Sequence, residues 1–184
     1  MSDEKKILLH ACCGICSADC IRQLQEVGYT PVVYFFNPNI DTKDEFDRRL
    51  ESQRTVCQYF NTELLVESYC PVEFLNVIKG FENEPERGQR CTLCFKLRLL
   101  KTAYKAKELK IPYFTTSIVI SPHKNYELIT SIGNHISDHI EDIEYVAIDF
   151  KKKNGFLNSN KLSKELGLYR QNYCGCKFAK KHLL

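Results

Sequence analysis

The sequence predicts an α/β fold in one domain, a mostly parallel sheet flanked by helices. Two observations carry this. Short runs of β-branched, aromatic and aliphatic residues alternate repeatedly with longer segments whose apolar residues recur at helical spacing, the pattern of strand–helix–strand units. The chain has 184 residues and is 43% hydrophobic, which suits a single domain over residues 1–184 with a real core.

Lys5–His10 reads as a buried strand. Gly14–Tyr29 follows as a helix, with Ile21, Leu24 and Val27 on one side. Pro31–Phe36 is β-branched and aromatic, hence a second strand. Asn37-Pro38-Asn39 is a turn. Thr42 is a good N-cap and Glu45 completes a capping box, opening a helix that runs to about Phe60. Glu63–Glu67 is a third strand and Pro71–Lys79 a short helix. Gly80–Arg90 is polar and loop-like, and Cys91–Lys110 is a long helix. Tyr113–Ser117 and Tyr145–Phe150 are further strands with a helix near Lys124–Asp138 between them. Lys161–Leu166 is a last short helix before a cysteine-containing tail. Ligands of open parallel sheets bind beyond the carboxyl ends of strands. Cys12-Cys13, just after the first strand, and Asp149, at the end of the last, are both expected there.

Ten cysteines are the compositional outlier, beside one Met and no Trp. A secreted disulfide scaffold is disfavoured: the chain is long enough to need no staples, and the α/β alternation is that of an intracellular enzyme. The start Met1–Lys6 is charged, and Ile7-Leu8-Leu9 is too short for a signal peptide. No stretch approaches the roughly 18–20 apolar residues of a membrane span. A cytoplasmic location with no membrane partner is expected, where grouped cysteines bind metal or do redox chemistry. The net charge of +3 permits an anionic partner without demanding one.

The cysteines form three groups: Cys12-Cys13-Gly14-Ile15-Cys16 at a strand end, Cys91-Thr92-Leu93-Cys94 opening a helix, and Cys174-Gly175-Cys176 near the C-terminus. Cys20, Cys57 and Cys70 are isolated and read as ordinary core or surface residues. Thiols at a helix start meet unpaired amide N–H groups and the positive end of the helix dipole, both of which favour thiolate. Arg87, Arg90, Lys96 and Arg98 add positive charge nearby. The CxxC pairs Cys13–Cys16 and Cys91–Cys94 suit a tetrahedral zinc, and two thiolates from each group suit an iron–sulfur cluster. The adjacent Cys12-Cys13 and the surplus of cysteines beyond four favour iron. A thioredoxin-like pair at Cys91–Cys94 is a third reading that leaves the first group unexplained. Cys174 and Cys176 fit a labile disulfide pair, ligands of a second metal, or chance neighbours in a tail.

Several segments in order resemble the QueH type of epoxyqueuosine reductase: Leu8-Leu9-His10-Ala11-Cys12-Cys13, Tyr34-Phe35-Phe36-Asn37-Pro38-Asn39-Ile40, Arg90-Cys91-Thr92-Leu93-Cys94, Phe114–Ser117 with Ile120–Lys124, and Tyr169-Arg170-Gln171-Asn172-Tyr173-Cys174-Gly175-Cys176. The resemblance implies a cobalamin-independent iron–sulfur enzyme that reduces epoxyqueuosine to queuosine at the wobble position of tRNA. The fold it implies is similar to the nucleotide α-hydrolase-like (PP-loop/HUP) domain. Ala11-Cys12-Cys13-Gly14 stands where ATP-using relatives of that fold carry a Gly-rich loop, so ATP use is not expected. The implied ligands of a [4Fe–4S] cluster are Cys12, Cys13, Cys91 and Cys94, and the implied redox-active pair is Cys174 and Cys176. A second iron is an open expectation, with Cys16, Cys174, Cys176 and Asp149 as candidate ligands. The implied partners are tRNA and an external electron donor. Asp149, His10 and His123 are candidate proton donors or ligands, each with a plain alternative: Asp149 as a cap or a lysine partner, His10 as a core residue. Tyr34, Phe35, Tyr169 and Tyr173 are available to stack on a base. Lys96, Arg98, Lys101 and Lys105, or Lys151–Lys153, are available to meet phosphates.

Overall fold

The computed structural model describes residues 5–179. Five strands, β1 (Lys5–His10), β2 (Tyr29–Phe35), β3 (Leu64–Val66), β4 (Tyr113–Thr116) and β5 (Glu144–Tyr145), lie in the order β3-β2-β1-β4-β5. Every neighbouring pair is parallel. Helices α1 (Gly14–Glu26), α2 (Lys43–Tyr59), α3 (Pro71–Val77), α4 (Gln89–Glu108) and α5 (Tyr126–His139) fall within the crossovers, and α6 (Gly155–Glu165) follows β5. α1 packs with α2 and α6, while α4 packs with α3 and α5. Right-handed crossovers on either side of β1 place these two helix layers on opposite faces of the sheet. The central strand is therefore covered on both sides, and Ile7, Leu8 and Leu9 are fully buried, as a near-continuous apolar run in a parallel sheet requires.

The strand order reverses between β1 and β4. Their carboxyl ends open a crevice there, the switch point where open α/β sheets bind ligands. Ala11–Cys13 leads directly from β1 into it. The turn from Cys13 into α1 is made at close quarters: a Cβ on Gly14 would stand 2.5 Å from the Ser52 carbonyl oxygen of α2. Gly14→Ala is expected to destabilise the fold by about 2–4 kcal/mol, read as a lower urea midpoint with an unchanged slope.

β1, β2, β4, α2 and α4 form where expected, within a few residues. α1 stops at Glu26, short of Tyr29, because Gly28 takes a left-handed φ of 86° that turns the chain into β2. At α2, Thr42 Oγ1 accepts from the Glu45 amide at 3.3 Å, but the box is half-made. The Glu45 carboxylate turns inward to Arg49 at 2.7 Å and the Tyr169 hydroxyl at 2.8 Å.

Two expectations near the C-terminus are corrected. The strand expected over Tyr145–Phe150 is only Glu144–Tyr145. Its partner β4 ends at Thr116 and passes into a 3-10 turn over Ser117–Ile120, so the ladder closes after the Val146 amide meets Phe114 O at 2.9 Å. Asp149 therefore sits in a turn rather than at a strand end. The helix expected over Lys161–Leu166 begins at Gly155. A Cβ on Gly155 would lie 1.8 Å from Phe150 O, so only glycine starts a helix there. Among the described residues no helix is long and apolar enough to cross a membrane.

Candidate metal and redox site

The end of β1 is fixed by its neighbours. The Ala11 amide donates to Tyr34 O at 2.9 Å, Asn37 Nδ2 donates to Ala11 O at 2.9 Å, and the Cys12 amide donates to Ser117 Oγ at 3.3 Å. Cys13 is the N-cap of α1, its sulfur accepting from the Cys16 amide at 3.4 Å. These constraints gather three sulfurs: Cys12, Cys13 and Cys16 all lie within 4.8 Å of one another, the only such donor group of three or more among the described residues. Hydrogen bonds from the neighbouring thiols and the charge of Arg98 hold Cys12 well below the usual thiol range. Sharing those protons pushes Cys13 up to about 12 and raises Cys16 strongly. Gln171 Nε2 donates to Cys13 at 2.8 Å.

The trio borders a cavity of about 540 Å³ whose walls include Cys12 and Cys16, Cys91 and Cys94 of α4, and Cys174 and Cys176 of the C-terminal segment. Its size is that of a small-molecule site. Cys91 lies in the first turn of α4, where its sulfur accepts from the Arg87 amide at 3.2 Å. Burial raises the Cys94 thiol, with Arg98 opposing. The C-terminal segment is held by its backbone. Arg49 donates to the carbonyls of Cys174 and Tyr173 at 3.1 and 3.0 Å, and the Asp41 amide donates to Gly175 O at 2.9 Å. The left-handed φ of 100° at Gly175 brings Cys176 beside Cys174. A hydrogen bond from Cys176 lowers Cys174 to about 6 and correspondingly raises Cys176.

Arg98 is the central cation. It is 6% exposed. Its guanidinium donates to Asn37 Oδ1 at 2.9 Å, abuts His10 Nε2 at 3.4 Å and stands 3.9 Å from Cys94 Sγ. None of these partners is a carboxylate. A buried guanidinium without a counter-anion is unfavourable, and the sulfurs are the anions within its reach. Unpaired buried charge, clustered thiols and N–H donors aimed at Cys13 and Cys91 fit a thiolate-ligated metal centre of net negative charge.

Of the expected site residues, Cys12, Cys16, Cys91, Cys94, Cys174, Cys176 and His123 line the cavity, and Cys13 joins through the trio. Asp149 is not among the lining residues; its carboxylate accepts from the Lys151 amide at 3.2 Å. His10 is a core residue, both ring nitrogens engaged with Thr116 Oγ1 at 2.9 Å and Phe36 O at 3.0 Å. Burial and then Arg98 depress its pKa to about 3, so the ring stays neutral and its remaining N–H is spent on Phe36 O. Tyr34 and Phe35 are buried in the core, whereas Tyr173 reaches the cavity. Arg98 is inside the protein, not on an RNA-facing surface. Lys101 and Lys105 pair with Glu73, Glu67 and Glu108. Cys20 and Cys57 are buried in the main core, as expected of isolated thiols.

Sequence reasoning missed Arg49, Asn39, Gln171 and Phe156. Asn39 lies just past the carboxyl end of β2 and its position was a usable signal. It is buried, donates through Nδ2 to Cys174 O at 3.4 Å, and its Oδ1 has no partner. Phe156 carried no such signal, because it falls where a loop was expected.

Fold and site together define a parallel α/β protein with a sulfur-rich, metal-competent site at its switch point. The family model described as "Epoxyqueuosine reductase QueH" matches residues 7–182. The chain is 40% identical over 186 residues to an epoxyqueuosine reductase QueH of Streptococcus pyogenes serotype M1, covering 98% of this chain and 72% of that protein. It is 37% identical over 186 residues to one of Staphylococcus epidermidis (96% and 77% covered) and 30% identical over 176 residues to one of Thermotoga maritima (94% and 89% covered). The chain belongs to the epoxyqueuosine reductase QueH family, and it is an oxidoreductase.

Proposed function

We propose that the protein is an iron–sulfur epoxyqueuosine reductase acting on tRNA at the wobble position of the anticodon. The observation that supports this best is the meeting of six cysteines from three distant segments around one cavity, beside a buried cation that has no carboxylate partner. Cys12, Cys13, Cys91 and Cys94 would hold a [4Fe–4S] cluster. Cys16, Cys174 and Cys176 are the sulfurs left over for a second iron; Asp149, the fourth candidate, lies outside the cavity lining.

Removing the epoxide oxygen to leave an alkene takes two electrons and two protons and releases water. A four-iron cluster, when bound, passes electrons one at a time. Cys174 and Cys176 can together give up two, closing a disulfide, and the lowered Cys174 supplies the thiolate that such exchange needs. Arg98 balances negative charge on the sulfurs. His123 and Lys124, on the cavity wall, are placed to protonate the departing oxygen. The unpartnered Oδ1 of Asn39 offers an acceptor to an N–H or O–H of the substrate.

Anaerobically purified protein is expected to be brown and to convert epoxyqueuosine to queuosine in tRNA when given a strong one-electron reductant. A colourless zinc-loaded protein, or an unchanged nucleoside with the chromophore intact, would end this reading.

A further inference from the structure

Residues 150–179 carry seven Lys or Arg against a single Glu, in a chain whose net charge is only +3. The remainder is therefore net acidic, and the positive charge is concentrated on the elements after β5. Among the described residues none of those seven side chains is in an ion pair. Lys101 and Lys105 of α4 are, by contrast, matched by glutamates.

The geometry of α6 gives this charge a direction. Gly155, Ser159 and Ser163, at four-residue spacing, face α1 and are buried. Phe156 and Asn160 form a second stripe that lines the cavity, where Arg170 Nη2 donates to Asn160 Oδ1 at 2.9 Å. Leu157, Lys161 and Lys164 form a third, exposed stripe about 10 Å long. Ahead of the helix, Lys153 and Asn154 both take left-handed backbone angles, φ 54° and 60°, and Lys152 and Lys153 stand in solvent next to that stripe. Phe156 is 40% exposed while also lining the cavity, so it stands at the cavity mouth.

We propose that loop 151–154 and the outward stripe of α6 are the surface on which the RNA backbone rests, with Phe156 stacking on the base that enters the cavity. This rests on the reading that the substrate is a nucleotide within tRNA. Unpaired lysines suit phosphates, and an aromatic at a mouth suits an unstacked base of any identity. The paired lysines of α4 have no charge to spare for the same work.

The test uses holoenzyme and a fluorescently labelled anticodon stem-loop RNA, followed by anisotropy over a salt series. Lys152→Gln/Lys153→Gln/Lys161→Gln is expected to weaken binding at least tenfold near 0.1 M salt, with a log–log salt slope shallower by about two to three. Lys101→Gln/Lys105→Gln is expected to leave both unchanged. Phe156→Leu is expected to raise KM for epoxyqueuosine-containing tRNA about tenfold with the iron–sulfur chromophore intact. Unchanged RNA affinity in the triple variant, or loss confined to the α4 pair, overturns the surface. Anisotropy needs no turnover, so a wild type that binds RNA yet leaves epoxyqueuosine intact overturns only the reductase reading.

Discussion

Cys12→Ser is expected to yield a folded, colourless protein with turnover reduced by more than about a thousandfold. Cys12 is the most acidic thiol of the trio, its anion favoured by its neighbours' S–H groups, by Arg98 and by Ser117 at 3.7 Å. Serine keeps the size and its backbone bond but is a poor ligand for iron. The fold should survive, because the backbone of residues 11–12 is pinned by Tyr34, Asn37 and Ser117 independently of the sulfur. Iron content and visible absorbance of anaerobic preparations check the prediction. Two companions sharpen it. Cys57→Ser should keep full colour, since that thiol is a buried core group of α2 whose side-chain partner is Gln53. Cys174→Ser should keep colour and lose turnover, and bleaching by that change would move Cys174 into the ligand set.

Arg98→Gln is expected to cost the metal-free protein stability and the loaded protein more. In the metal-free chain the substitution takes the cation away from the buried sulfurs and removes the hydrogen bond to Asn37, and thermal stability should fall by about 1–3 kcal/mol. In the loaded protein it would remove a positive charge from beside the sulfurs. Loss of that cation disfavours added negative charge, so the midpoint potential should fall by on the order of 100 mV and turnover about tenfold or more. Arg98→Lys should fall between, because an ammonium keeps the charge but not the fork that reaches Asn37 and His10 together. Redox titration and calorimetry with and without iron make the check. Equal shifts of the same sign would mean Arg98 only packs.

The parts of this structure that could be read in the sequence are those written in local terms. β1 is an unbroken apolar run ending at a cysteine pair, and its bounds match the expectation. Thr42 announces α2 through a short-range cap. The grouped cysteines announced a shared site, because few other arrangements explain so many thiols at such spacings. What was illegible is set by distant contacts. β5 looks like a six-residue strand, but its length is decided by where β4 turns away at Thr116. α6 opens at a glycine of poor helix propensity, and it starts there because Phe150 O leaves no room for a side chain. Asp149 was placed by that mistaken strand end. Arg98 looked like a surface cation beside a CxxC pair; only the fold shows it turned inward between His10, Asn37 and Cys94.

The seam between α1 and α6 has a consequence for how the protein could be diversified. Ser159 and Ser163 are small and tightly enclosed, with the Ser159 hydroxyl accepting from the Asp19 amide at 3.1 Å. Larger residues at either position would tilt the whole rod outward, carrying the aromatic and amide of its neighbouring stripe with it. Selection for altered substrate range should accordingly find productive changes in this hidden seam, where no side chain touches the guest at all, before it finds them among the sulfurs.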